Sequence, residues 1–419
     1  MCSFRSDEYN HVRHTLATWN LWEAWTLDPR PEFLEGALRA QKWTLRWTAE
    51  KDGMAFMTHG GRTKLGSVVV GLLGMIETAR ATNDHSNDEL MRKFGRFVKF
   101  MQADSGTFRG YWDPATGTFP NEVNDIVPGE AALSLVYLSE YFNDPSYLET
   151  LPKFFDYYKP WYEERAKRKS EGGPWPAYTY DNATRLELVQ FGPWTVMAAA
   201  AYTRVRPEAK DVATFGLDVA KWMIDTYEYT EENAPFPDYV GGYYKFEGEL
   251  PAMQAFCYAE GTAAAYDMAL RMDPAQAPFF EKHTRESIRI GMQMQHDGLD
   301  SNYYSRPLEI MGGIKYSLNE PKVRIDYVHH GLSAMYQWLM ASRRDPNLPA
   351  AVKAEPSEAD KRILRLEDMP SYREPGKPLW RRTDRMAYPG QVVRTSVPAD
   401  ASATVDVNIP GKEEDDGGE

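Results

Sequence analysis

Stretches that are apolar on nearly every side alternate along this chain with stretches in which charged and apolar residues recur at helical spacing. A helix that is apolar all round is buried on every side, whereas an amphipathic helix buries one face only. The pattern therefore predicts alternating inner and outer helices. The predicted inner helices span 7–27, 64–80, 129–143, 184–205, 252–272 and 322–344, and the predicted outer helices span 31–48, 87–102, 145–169, 207–227 and 275–295.

A turn signal follows each predicted inner helix and recurs at roughly 55 to 70 residues. The signals are Asp28-Pro29, Asn83-Asp84, Asp144-Pro145, Arg206-Pro207, Asp273-Pro274 and Asp345-Pro346. An Asp cap followed by Pro is a physical start signal for the next helix. Six helical hairpins result, which predicts an all-α (α/α)6 toroid over residues 7–367.

The end of the chain departs from this pattern. The sixth outer helix has only 348–354 and 357–366 available, with Pro356 between them. Beyond Asp368 the chain is rich in Pro and Arg, contains short β-prone runs and ends in acidic residues. We therefore expect a separate C-terminal extension, 368–419, that closes in a disordered acidic tail.

Composition narrows the possible partners. The net charge of -13 argues against nucleic acid or an anionic membrane as a partner. Cys2 and Cys257 are the only cysteines, which excludes a disulfide framework and a Cys-ligated zinc site. The chain has no dinucleotide or phosphate-loop motif, no His-Glu-x-x-His, no apolar leader and no long apolar run. We expect a cytoplasmic protein without cofactor or metal, and its oligomeric state stays open.

Loop lengths locate the predicted site. Connections from an inner to an outer helix are short, whereas those from an outer to an inner helix run roughly 15 to 30 residues, and long loops on one face of a rigid scaffold usually carry function. These loops are rich in glycine and aromatic residues, and they include His59 and Tyr243. Tyr243 and the inner-helix Trp194 are candidate platforms for a sugar ring, although each aromatic residue taken alone is more often part of a core.

Polar residues interrupt the inner helices at matching positions. Counting back about 19 residues from each turn signal gives Tyr9, Lys64, Asp125, Glu187, Gln254 and Asp326. About one turn deeper the counts give His14, Glu130, Glu260 and His330. The pattern predicts a polar ring at the mouth of the toroid. The structural alternative is that these buried groups simply pair with one another.

The stretch from Glu320 to Gly331 carries the highest density of ionisable groups into an inner helix. Asp326 lies three and four residues before His329 and His330, so a helix brings all three together. Three basic residues, Lys64, Arg185 and Arg324, lie near the helix N-termini, whose dipoles attract anions. An acidic or hydroxyl-rich saccharide is the ligand we expect, unless the bases only neutralise the carboxylates.

Two stretches, Asp125-Ile-Val-Pro-Gly-Glu-Ala-Ala132 and Arg324-Ile-Asp-Tyr-Val-His-His330, together with the hairpin repeat, make the chain similar to the six-hairpin glycosidase-like superfamily, in particular to its little-characterised bacterial members. The resemblance covers about residues 7–345. It implies an (α/α)6 toroid and sugar chemistry, but the superfamily also includes lyases, epimerases and non-catalytic members.

The first functional hypothesis is hydrolysis of a glycosidic bond by carboxylates drawn from Asp326, Glu130 and Asp125, at the spacing of roughly 6.5 to 9.5 Å of an inverting enzyme. A lyase or epimerase acting on a uronate-type sugar, with His330, His59 or Tyr327 carrying protons, is the second. A non-catalytic scaffold that binds a saccharide or peptide is the third. The predicted substrate-binding residues are His330, His329, Arg324, Tyr327, His59, Lys64, Arg185, Glu187, Trp194, Tyr243 and Glu260.

Overall fold

The inner helices of the computed structural model match the predicted ones closely. The structure describes residues 9–59, 61–120, 126–167, 182–244, 250–297, 301–304 and 310–348, without the side chains of His59, Lys167, 182–190 and Asn302. The inner helices are α1 (His11–Leu27), α3 (Leu65–Thr82), α5 (Val127–Phe142), α7 (Asn182–Val205), α9 (Gln254–Met272) and α11 (Ile325–Arg344).

The outer helices alternate with the inner ones along the chain. They are α2 (Pro31–Leu45), α4 (Asp88–Phe100), α6 (Leu151–Lys167), α8 (Lys210–Tyr227) and α10 (Ala277–Gln293). Each inner helix packs against the next, and α11 packs back against α1, so the six inner helices close a ring. The predicted (α/α)6 architecture is confirmed.

Small residues allow the inner helices to approach one another closely. A Cβ added at Gly129 on α5 would lie only 2.7 Å from the carbonyl carbon of Trp194 on α7. Helix α3 is long and apolar enough to cross a membrane, but 78% of it is buried inside the protein. The ring of inner helices therefore forms the core, and an apolar helix such as α3 is accounted for as one of its members.

A small antiparallel sheet lies in and after the first long connection, and the sequence analysis did not predict it. Its strands are β1 (Thr48–Lys51), β2 (Met54–His59), β3 (Arg62–Lys64) and β4 (Tyr111–Trp112), hydrogen-bonded in that order. The hairpin between β1 and β2 turns at Asp52 and Gly53, which both have positive φ. The sheet leads directly into α3, so it fixes the point at which that inner helix begins.

The turn signals mark the ends of the inner helices more than the starts of the outer ones. Asp144 accepts a hydrogen bond from the Ser146 amide and caps a short 3-10 helix, as predicted. Asp28 instead ends α1, and the next helix begins at Pro31 after an N-cap that forms no side-chain hydrogen bond. The predicted sixth outer helix and the extension 368–419 lie outside the described residues, so both stay predictions.

Candidate active site at the inner-helix N-termini

Charged residues from the first and last inner helices meet at the N-terminal end of the ring. Arg324, the N-cap residue of α11, donates two hydrogen bonds to Asp326, one of them 2.8 Å long from Nε to Oδ1. Arg13 of α1 places its Nε 3.3 Å from Asp326 Oδ2. Burial alone would raise the pKa of Asp326, but Arg324 and Arg13 outweigh it and hold that pKa below its usual range. Arg324 and Asp326, together with Arg13 beside them, are called the rim ion pair below.

One turn deeper, an imidazole and a carboxylate from neighbouring inner helices form a buried pair. His330 Nδ1 on α11 lies 2.6 Å from Glu260 Oε2 on α9. Cys257, one turn before Glu260, interacts electrostatically with the His330 ring. Burial alone would lower the pKa of His330, but Cys257 and Glu260 hold it well above the usual value. The imidazole is therefore cationic at neutral pH.

Glu130 faces this pair from α5. Its side chain is buried, and its Oε2 atom has no hydrogen-bond partner among the described residues. Burial raises the pKa of Glu130 to about 8, the negative charge of Glu260 adds to the rise and the positive charge of His330 opposes it. Gly66 on α3 makes room for it, since a Cβ there would lie 3.2 Å from Glu130 Oε2. Glu130, Glu260, His330 and Cys257 are named the imidazole cluster below.

Two further predicted residues, His329 and Tyr327, lie beside these groups but form no hydrogen bond with the imidazole cluster. His329 is buried, its ring centroid is 4.2 Å from that of His330, and neither of its nitrogens bonds a described residue. Burial and the nearby positive charges hold the pKa of His329 well below its usual value, so it is neutral. Tyr327 is buried under the Arg324 guanidinium, and burial raises its pKa to about 12.

Other predicted site residues lie elsewhere or outside the description. Lys64 is exposed at the start of α3, with its ammonium 5.9 Å from the Tyr111 ring. Trp194 is buried and lies 6.3 Å from Trp19 between ring centroids. Tyr243 is buried, stacks on Tyr258 at 4.4 Å and donates a hydrogen bond to Glu228, so its ring faces protein. Asp125 and the side chains of His59, Arg185 and Glu187 lie outside the described residues.

The sequence analysis placed His14 at the deeper polar level, but the structure turns its side chain elsewhere. It also missed two residues of the site, Arg13 and Cys257. His14 Nε2 lies 3.0 Å from the Ala40 carbonyl on α2, so it faces the outer layer. Cys257 stands three residues before Glu260, a helical spacing that brings both to one face and was present in the sequence.

The two groups of residues together supply what acid–base chemistry requires. The imidazole cluster contains a cationic imidazole oriented by a carboxylate and a second, protonated carboxyl group whose pKa lies near neutrality. The rim ion pair holds a third carboxyl group ionised. Among the described residues, no three His, Cys, Asp or Glu side chains are arranged to hold a metal ion.

Comparison with known proteins supports the fold only. No protein-family model and no curated protein sequence matches the chain. A solved D-mannose isomerase matches with a TM-score of 0.53 at 11% identity, covering 78% of this chain and 86% of the other. The cellobiose 2-epimerase from Bacillus thermoamylovorans matches with a TM-score of 0.52 at 8% identity, covering 78% and 87%.

A hydrolytic enzyme matches equally well. An inactive variant of the α-1,6-mannanase GH76A of Salegentibacter, solved in complex with α-1,6-mannotriose, matches with a TM-score of 0.52 at 15% identity, covering 80% of this chain and 90% of the other. At such identities the shared feature is the arrangement of helices. By its fold, the chain is an (α/α)6 toroid like these solved structures.

Proposed function

We propose that this chain is a carbohydrate-active enzyme that transfers protons on a sugar, as an isomerase or epimerase does, in the imidazole cluster. The observation that carries the proposal is the hydrogen-bonded pair of His330 and Glu260 beside Glu130, whose Oε2 atom has no hydrogen-bond partner among the described residues. Support for a sugar as substrate comes from the solved proteins of this fold, which include an isomerase, an epimerase and a mannanase.

The chemistry follows from the protonation states. Isomerisation next to a carbonyl requires one group to remove a proton from carbon while another donates a proton to the carbonyl oxygen. His330 is cationic and oriented by Glu260, so it is the donor to oxygen. Glu130, in the ionised fraction set by a pKa of about 8, removes the carbon-bound proton. The product of these two transfers is an enediol, and His330 is left neutral. Return of the proton from Glu130 to the former carbonyl carbon, with the hydroxyl proton of the neighbouring carbon passing to His330, gives an isomer. Return of the proton to the opposite face of the original carbon, after the enediol has turned, gives an epimer when the proton on the former carbonyl oxygen passes back to His330.

Glycoside hydrolysis is the second candidate, because two carboxyl groups in this region have pKa values that are shifted in opposite directions. Protonated Glu130 would serve as general acid, and ionised Asp326 would serve as general base. However, Asp326 already accepts hydrogen bonds from Arg324 and faces Arg13. That ion pair would have to open before Asp326 activates water, so we place hydrolysis second.

The test separates the two reactions directly. Wild type is incubated in D2O with neutral and acidic mono- and disaccharides, and proton NMR follows both deuterium uptake at carbon and the release of new reducing ends. Proton transfer predicts uptake of deuterium next to the carbonyl group, with loss of that uptake by at least about 100-fold in Glu130→Gln and His330→Gln. New reducing ends without deuterium uptake would favour hydrolysis instead.

A matched control is present in the chain. His283 Nδ1 lies 2.9 Å from Glu228 Oε1, and both side chains are buried much like His330 and Glu260. His283 lies on the outer helix α10, so His283→Gln loses the same kind of pair away from the imidazole cluster. Equal losses in His283→Gln and His330→Gln would indicate a general effect on folding. No turnover of any sugar by folded wild type would refute the proposed function.

A further inference from the structure

A cavity lies towards the other end of the ring, among the C-terminal halves of inner helices α1, α3, α5, α7 and α11. Its volume is about 350 Å³, within the range of small-molecule sites. Trp19 lines it and packs on Trp194 at 6.3 Å between ring centroids. None of the residues that line the cavity belongs to the imidazole cluster, although Glu23 in its wall interacts electrostatically with Glu260.

The walls of this cavity are polar, yet their charges balance. Arg80 donates to Glu77 at 2.7 Å, and Arg204 donates two hydrogen bonds of 2.8 Å to Glu140. Burial raises the pKa of Glu23, the remaining carboxyl group in the wall, to about 8. The lining is therefore close to neutral at pH 7, which favours an uncharged ligand over an ion.

Unused hydrogen-bonding groups remain in the wall. The hydroxyl groups of Tyr137 and Tyr336 form no hydrogen bond with any residue that the structure describes, although both side chains line the cavity. Burial raises the pKa of both hydroxyl groups, so they stay protonated and can donate as well as accept. Trp19 adds an apolar ring. Hydroxyl and carboxyl groups around an aromatic ring match a molecule with many hydroxyl groups and apolar C–H faces.

We propose that this cavity is a binding site for one neutral sugar ring, held by the Tyr137 and Tyr336 hydroxyl groups and the Glu23 carboxyl group, with Trp19 against its apolar face. The site shares no residue with the imidazole cluster and does not depend on the reaction assigned to it. Separate variants can therefore remove sugar binding in the cavity and the chemistry proposed for the cluster.

The experiment uses ligand-observed NMR titration of the full chain with three probes of one ring size: glucose, glucuronate and glucosamine, with mannose and galactose as further neutral sugars. A neutral sugar is expected to bind at least about tenfold more tightly than the anionic and cationic probes, because the wall has no unbalanced charge to pair with either. Tighter binding of glucuronate or glucosamine would overturn the assignment of a neutral ligand.

Matched variants identify which site is being observed. Tyr137→Phe and Tyr336→Phe each remove a single hydroxyl group and should weaken binding of the neutral sugar by about 3- to 10-fold. Tyr202→Phe makes the same change in an inner-helix residue that packs on Phe155 outside the cavity, and should leave the affinity unchanged. Weaker binding in Glu130→Gln, with unaltered binding in both cavity variants, would place the sugar in the imidazole cluster and refute this site.

Discussion

Glu130 is the single residue on which the proposed reaction depends most, because burial sets its pKa close to neutral pH. If ionised Glu130 removes a proton from carbon, kcat/KM should rise with pH and level off above a pKa of about 8. If protonated Glu130 is instead the acid of a hydrolase, kcat/KM should fall above the same pH. A pH profile of kcat/KM from 5 to 10 distinguishes the two roles.

The matching control for that profile is a buried carboxyl group outside the imidazole cluster. Glu228→Gln removes a carboxyl group that is also buried and paired with an imidazole, so the transition near pH 8 should persist in this variant. Glu130→Gln should lack the transition and lose most of the activity. A transition that survives in Glu130→Gln would assign the titration to another group.

The raised pKa of Glu130 also makes the stability of the fold depend on pH. The folded-state pKa of Glu130 is raised from 4.5 to about 8, so the folded protein keeps a proton that the unfolded chain releases. The free energy of unfolding should therefore be highest below about pH 4.5 and fall as the pH rises to about 8. Glu130→Gln cannot ionise, so it should remove this contribution, on the order of a few kcal/mol between those limits.

Urea unfolding at pH 5, 7 and 8.5 measures this slope. Glu23, at the other end of the ring, has its pKa raised to about 8 as well, chiefly by burial. Glu23→Gln should flatten the same window separately, and the double variant should flatten it further. A slope that is unchanged in both single variants would show that neither carboxyl group is protonated in the folded state.

At the residue scale the sequence predicted which groups meet, but not how they pair. Counting back from the turns found Glu130, Glu260 and His330, because equal counts along repeated helices reach a similar depth. The same count included His14, which faces α2, since an error of one residue rotates a helical side chain by about 100°. Pairing depends on that rotation, so no count could fix the contact of Arg13 with Asp326.

At the scale of elements, helices were predicted well and strands were missed. Inner helices could be recognised from their length and small apolar residues. The β1–β2 hairpin lies where the sequence analysis expected only a loop, although Asp52-Gly53 is a strong hairpin signal, because both positions require positive φ. The strands have only two to six residues, too few positions for an alternating pattern to be distinguished from a loop.

Helices α5 and α7 are in close backbone contact at Gly129. Gly129→Ala would place a Cβ 2.7 Å from the carbonyl carbon of Trp194 and 2.8 Å from the Thr195 amide nitrogen, and backbone atoms cannot rotate away. The two helices must separate, at an expected cost of about 1–3 kcal/mol in the free energy of unfolding. Gly36→Ala on α2 is the control, since its Cβ would lie 3.5 Å from Leu21.

Thermal and urea unfolding of the two variants provide the measurement. Gly36→Ala should be neutral or more stable by up to about 1 kcal/mol, because alanine favours a helix. A Gly129→Ala variant as stable as wild type would mean that α5 and α7 are not in backbone contact at this position. Because Gly129 adjoins Glu130, activity should fall together with stability.

At the scale of the whole molecule, the number of inner helices followed from the turn signals, whereas the contents of the ring did not. Six signals at similar intervals predict six inner helices, and packing of α11 on both α1 and α9 closes them. The Trp19 and Trp194 contact and the cavity beyond it depend on side chains from opposite parts of the ring. No local pattern reports such a contact, which is why the sequence analysis placed function at one end only.

Closure of the ring depends on helix α11. Helix α11 joins the first inner helix through Arg13 and Asp326, and through Ser333, which donates a 3.4 Å hydrogen bond to Glu23. A chain that ends at Glu320 lacks α11, so apolar faces of α1 and α9 would meet water. This truncated chain should lose near-UV circular dichroism, bind a hydrophobic dye and unfold without cooperativity.

A chain that ends at Glu367 is the control, because it keeps α11 and removes only the predicted extension. Its thermal midpoint should stay within about 2 °C of the full chain if, as the sequence predicts, the extension is not part of the ring and ends in a disordered acidic tail. Cooperative unfolding of the Glu320 truncation would show that five hairpins are stable without closure. A large loss of stability in the Glu367 truncation would instead make the C-terminal extension part of the folded ring, and the domain boundary predicted at 367 would be wrong.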